Sequence, residues 1–211
     1  MIIIASSLLN PDGSTAVAVF APALLSLLIG ASVAQDLSYD GTALWTHVSA
    51  GVPGEADRKG RVLSTLTVFV PMLVVLVVGV FVLTGRWSLL GVVLGLTVAF
   101  VLIGLGVGAY VGALWQWPAP PPGASPFQKG SSGGLPALLS FGVTTTATLV
   151  LAVPCLALAV WSLWTPWVGW LTLPVGLGTG LLVLRAGTTW GGRRLDRSWP
   201  EVMLSVSERT G

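Results

Sequence analysis

The sequence predicts an all-α fold, a polytopic bundle of transmembrane helices, and three observations predict it. Only 9% of its 211 residues are charged, against roughly 25% in an average soluble domain, while 54% are hydrophobic. Ionisable side chains are absent from residues 13–35, 62–85, 87–128 and 130–184, gaps of 23, 24, 42 and 55 residues. A hydrocarbon core about 30 Å thick needs about 20 apolar residues per helix, so these gaps hold one, one, one and two spans. Five full spans follow, at about 14–34, 63–84, 88–117, 138–163 and 167–185, in a single membrane domain covering 1–211.

Residues 1–9 are apolar but too few to cross, and Asn10-Pro11-Asp12-Gly13 after them is a turn signal. No basic residue precedes Asp12, which argues against a secretory leader. The segment reads as the remnant or re-entrant piece of a further helix, in preference to a disordered start.

The loop 36–61 after the first span is more than a linker. Leu44, Trp45, Val48 and Val52 recur at helical spacing and make one apolar stripe on a segment too short to span, which predicts an interfacial helix. Asp40 or Thr42 is expected to cap its start, and Gly51 with Pro53 to end it. A second short helix is predicted from Glu55, because Glu55 with Lys59 and Asp57 with Arg61 stand four apart with the acid first. The product is a compact charged knob. Composition alone fits an ordinary membrane anchor with orienting charges equally well.

Gly85-Arg86-Trp87 turns the chain into the third span, where glycines recur every fourth residue at Gly91 and Gly95 and at Gly104, Gly108 and Gly112. Such faces let helix backbones approach closely, and packing within the bundle is favoured over a dimer interface. The loop 118–137 is rich in Pro, Gly and Ser. The fourth and fifth spans are divided at Trp164-Thr165-Pro166-Trp167, since proline disfavours helix before it and tryptophan favours the interface. Pro22, Pro71, Pro154 and Pro174 are each expected to be able to kink a span. Thr144, Thr145 and Thr146 form the most polar run inside a span, with hydroxyls expected to bond back to the helix or line a passage. Residues 186–211 form a tail.

Arg58, Lys59, Arg61, Lys129, Arg185, Arg193, Arg194, Arg197 and Arg209 lie on one side of this topology and Arg86 alone on the other. The positive-inside rule then puts the N-terminus outside, and both long loops and the C-terminus in the cytoplasm. No span carries an ionisable residue at membrane depth, which argues against an ion-coupled transporter or proton pump. The formal net charge of +2 argues against nucleic-acid binding. Cys155 stands alone and His47 has no second His or Cys near it, so no catalytic, metal or cofactor-binding constellation is expected. The stretch 123–130 looks superficially like a phosphate-binding loop. Gln128 and Gly130 flank Lys129 where Gly and Ser or Thr are required, so any ATP is expected on another chain.

Tyr39-Asp40-Gly41, Leu44-Trp45, Ser49-Ala50-Gly51-Val52-Pro53, then Arg58 and Gly60-Arg61 leading into an apolar helix, resemble the loop before a transmembrane helix in exporter-type permeases of ABC transporters, the actinobacterial type above all. The Pro-rich stretch from Trp117 to Gly123, with Pro126-Phe127 and Gly133-Gly134, and the tail from Gly192 to Glu201 are similar to theirs as well. The resemblance implies six helices per half, of which the five spans correspond to the last five of a C-terminal half. The loop 36–61 then takes the coupling position. It implies a separate ABC ATPase and a second permease half as partners, membrane lipid around the spans, the plasma membrane as location, and no enzymatic activity in this chain. Glu55, Asp57, Arg58, Lys59 and Arg61 are the implied docking residues, with Leu44, Trp45 and Val48 seating the interfacial helix. The alternative is a structural or assembly subunit of another membrane complex.

Overall fold

A computed structural model describes residues 14–117 and 134–207. The opening apolar segment, the phosphate-loop lookalike and most of the Pro-rich loop lie outside the described residues. Those described are helical with no strand among them. Four helical segments are long and apolar enough to cross a membrane, Gly54–Thr84, Trp87–Leu114, Gly134–Leu151 and Pro166–Ser205, and a shorter apolar helix, Val17–Ser32, accompanies them.

In chain order, α1 spans Ser14–Ser32, and the Ser26 hydroxyl donates to the Pro22 carbonyl at 2.7 Å. Two short helices follow, α2 (Asp36–Asp40) and α3 (Trp45–Ser49), joined by a 3-10 turn at Gly41–Leu44. Gly51, at φ 64°, turns the chain into α4 (Gly54–Thr84). A positive φ of this kind favours glycine, which has no Cβ to clash. Gly85 ends α4 in the same way at φ 66°, donating its N–H to the Phe81 carbonyl at 2.9 Å. Then come α5 (Leu90–Leu114), α6 (Gly134–Leu151), α7 (Val153–Trp161), a 3-10 stretch at Pro166–Leu171 and α8 (Thr172–Ser207).

Three boundaries differ from expectation. The separate helix at Glu55 does not form; its residues are the first turns of α4, because nothing between Gly54 and Leu63 breaks a helix. The fourth apolar segment begins at Gly134 and is interrupted at Ala152, where Pro154 lacks the N–H that would serve the Val150 carbonyl. The tail expected after residue 185 is instead the continuation of α8, which bends at Ser198 (φ −133°), two residues before Pro200.

α5 is the centre of the bundle: 78% of its most apolar window is buried, against 22%, 17% and 28% for the other three long segments. Glycine makes this possible on two sides. A Cβ at Gly104 would lie 2.7 Å from the Gly30 Cα, one at Gly108 2.9 Å from the Gly30 oxygen, and one at Gly112 2.9 Å from the Ala34 oxygen, so this face seats α1. The opposite side seats α8, where Gly95 meets Thr172, Gly106 meets Gly187, and Gly191 lies against the Ala109 carbonyl. The Thr172 hydroxyl lies on that seam, its one proton shared between the Gly91 carbonyl at 2.9 Å across it and the Gly169 carbonyl at 2.7 Å on its own side. In hydrocarbon, where apolar surface gains nothing by leaving lipid, such close backbone contact supplies the attraction between helices. Cys155 is buried in the core between α1, α5 and α7.

Candidate functional site

One end of the bundle gathers segments far apart in sequence. Leu37 and Leu44, Ala113 of α5, and Leu195 and Val202 of α8 form one apolar cluster. The Trp117 N–H donates to the Ser38 hydroxyl at 3.1 Å, and the Gly54 N–H donates to the Asp196 carboxylate at 2.6 Å. Asp196 thereby satisfies a free amide at the start of α4, where a negative charge also complements the helix dipole. No sequence spacing signals this contact across 142 residues.

Above that apolar floor lies a knot of charges. The Asp57 carboxylate accepts from Arg58 Nη2 at 2.5 Å and Nε at 3.0 Å, and from Arg61 Nε at 3.1 Å. His47 Nδ1 stands 3.0 Å from its other oxygen. Arg61 also reaches Asp40. Arg58 is fully buried, Asp57 nearly so, and Arg58 Nη1 has no hydrogen-bond partner among the described residues.

Of the expected docking residues, then, Asp57, Arg58 and most of Arg61 are turned inward, leaving Glu55 and Lys59 outside as an exposed pair at 2.6 Å. Both pairs expected at four-residue spacing are present. Asp40, expected at a helix cap, instead holds Arg61, and α3 has no side-chain cap. The apolar stripe divides: Leu44 enters the protein while Trp45 (59% exposed) and Val48 face out. The inward turn of Arg58 follows from helix geometry, since it stands four residues before Val62, a core residue on the same face of α4.

Asp57, Arg58 and Arg61 lie on the first turns of α4, before its apolar run begins, while Asp40 and His47 come from α2 and α3. Burial alone would raise the Asp57 pKa, but the Arg58 and Arg61 guanidinium groups hold it below the ordinary 3.8. Its ionisation is therefore easier folded than unfolded, and the stability it contributes is complete above pH 3.8 and lost as pH falls through the folded value. Asp36 has the opposite sign: burial raises it, and Arg61 and Arg58 offset this only in part. We expect the unfolding temperature of the purified chain to change little from pH 7 to about 4 and to fall below that, with the fall much reduced in Asp57→Asn. A profile unchanged by that substitution would count against the knot as the source.

Exposed aromatic rings mark both ends. Trp87, Trp161, Trp164, Trp167 and Trp170 lie at one end, and Tyr39, Trp45, Trp115 and Trp190 at the other. The 25 residues of α5 separate them by about 37 Å at 1.5 Å per residue, the spacing expected of two interfacial belts. Between the belts, α4 and α5 diverge around a groove of about 410 Å³ lined by Leu73, Val77, Phe81, Leu94 and Val101. Its one hydroxyl, on Thr97, is bonded back to the Val93 carbonyl at 2.7 Å, so the wall is effectively hydrocarbon. On α6, Thr148 bonds back to Thr144 at 2.7 Å, whereas the buried hydroxyls of Ser140, Thr144 and Thr145 have no partner among the described residues.

Comparison with protein-family models, with curated proteins and with solved structures found no match.

Proposed function

We propose that this chain is the membrane-spanning subunit of an ABC-type exporter, with five crossings, its N-terminus outside and its C-terminus in the cytoplasm of a plasma membrane. The observation that carries the reading is the segment Asp36 to Arg61. It lies between the first two apolar helices, and the knot on Asp57 ties it to the start of α4. A coupling element must transmit displacement, and buried charge-assisted hydrogen bonds resist being pulled apart far better than a solvated loop. Movement of this segment by an ATPase would pass directly into α4, and through Asp196 and Gly192 into α8. The resemblance of its residues to exporter permeases supports the same reading, as do spans free of charge, which suit an apolar or amphipathic cargo.

The contact surface for the ATPase is then Glu55 and Lys59, the members of the expected docking set that face outward, with the exposed Trp45 and Val48 seating the short helix at the membrane interface. A second permease half is required to close the pathway. Affinity purification of the tagged full chain from its native host, in mild detergent, is expected to recover an ATPase with nucleotide-binding motifs. Lys59→Glu should reduce that recovery severalfold while changing the unfolding temperature of the isolated chain little, because Lys59 is exposed and its surface pair with Glu55 contributes little to stability. Recovery of the chain alone from cells that express the ATPase would refute the proposal and favour a structural subunit.

A further inference from the structure

At the foot of α1 the charge balance is uneven. Asp36, Asp40 and Asp57 face two guanidinium groups, Arg58 and Arg61, three carboxylates against two guanidinium charges. Asp40 and Asp57 take the arginine hydrogen bonds. Asp36 has no ion pair or hydrogen bond among the described residues, only the longer-range fields of Arg61 and Arg58. It lines a pocket of about 380 Å³ with Leu28, Ala31, Ser32, Gln35, Tyr39 and Phe141.

We propose that this pocket binds the ammonium group of an amphiphile, with Asp36 as its counter-ion. The inference does not depend on the transporter reading. A carboxylate beside two aromatic rings is the chemistry that recognises organic ammonium groups, through charge and through the negative faces of the rings. The apolar part of the ligand has a surface to follow: Leu24, Leu28 and Ser32 stand four residues apart on one face of α1, exposed, and lead from apolar to polar into Asp36. Leu28 lines the same pocket as Asp36, and Leu24 stands one helical turn, about 6 Å, beyond it on α1, so a chain anchored at the carboxylate would run toward the apolar level between the aromatic belts. The same burial that pushes the Asp36 pKa up leaves its ionised form in want of a positive charge, which the arginines, hydrogen-bonded to Asp40 and Asp57 and not to Asp36, supply only in part.

An ammonium group of this kind comes from a bilayer lipid or from a soluble single-chain amphiphile. Native mass spectrometry of the purified full chain would measure binding of phosphatidylethanolamine, of phosphatidylglycerol with the same acyl chains, and of dodecyltrimethylammonium. Asp36→Asn is expected to weaken the ammonium ligands about tenfold or more, the loss of one charge-assisted contact, and to leave phosphatidylglycerol unchanged. Dependence on Asp36 for phosphatidylethanolamine identifies a lipid site, and dependence for dodecyltrimethylammonium alone identifies a soluble amphiphile; either supports the proposal. The exposed ring of Tyr39 provides a second variant, Tyr39→Ala, expected to weaken the same ligands about twofold to fivefold. Ammonium binding unchanged in Asp36→Asn, or phosphatidylglycerol lost in parallel, would overturn the proposal. If Asp36→Asn does not fold, unchanged ammonium binding in Tyr39→Ala would do so.

Discussion

Asp57→Ala is expected to destabilise the folded chain by about 3–5 kcal/mol, the cost of stranding a buried charge whose partner has been removed. Arg58 is completely enclosed, and Asp57 accepts both of its hydrogen bonds. Without Asp57 the guanidinium would remain in the interior with no carboxylate in contact, while Arg61 would lose one of its two acids and His47 its partner. Unfolding followed by tryptophan fluorescence in mild detergent should show a fall on the order of 10 °C. The double substitution Asp57→Ala with Arg58→Met should recover part of the loss, since an apolar side chain tolerates that interior far better than an unpaired guanidinium. Recovery will be incomplete because Arg61 keeps only Asp40 and His47 still lacks its acid. A double variant no better than Asp57→Ala alone would mean that the knot acts through shape and not through charge.

The second large effect is expected at Gly106→Leu. A Cβ at this position would lie 2.6 Å from the Val183 carbonyl oxygen and 2.7 Å from the Leu184 Cα, both backbone atoms of α8 that cannot rotate away. The two helices must separate, opening the Gly95–Thr172 and Ala109–Gly191 contacts on the same seam. Overpacking in an interior costs about 1–3 kcal/mol and more where the obstruction is backbone, so substantial loss of monodisperse protein on size exclusion is expected. Gly178 provides the control: it lies on the same helix α8, a Cβ added there would meet nothing within 4 Å, and Gly178→Ala should behave as the parent or slightly better. Equal behaviour of the two variants would show that α5 and α8 are not held by the glycine seam.

Both predictions concern features that were partly visible in the residues. The glycines at 104, 108 and 112 announce a close approach by their spacing, but which helix approaches could not be read from them: the partner is α1, through Gly30 and Ala34. The pairs Asp57 with Arg61 and Glu55 with Lys59 follow from the 3.6-residue turn, and both form. That the first pair is interior and the second exposed did not follow: the two pairs stand on roughly opposite faces of the first two turns of α4, and their spacing does not say which face meets the bundle. Leu44, Trp45 and Val48 have one spacing and two destinations for a similar reason. A 3-10 turn ends at Leu44, so the helical angle that would align them is not maintained.

The sequence by itself determined the class of this protein: long uncharged runs, the turns at Gly51 and Gly85, and tryptophans at the ends of the apolar segments are each local consequences of composition and backbone sterics. Only the tertiary structure decided which helix is central, which charges are enclosed, and that Asp196 completes the start of α4. The reason is the solvent. In water an apolar stripe marks the buried face of a helix, but in a bilayer the surroundings are as apolar as the interior, so α5 and α4 read alike although one is enclosed and the other faces outward. Inside and outside are then distinguished by which backbones fit against one another and by which charges find partners, and both are settled only when the helices meet.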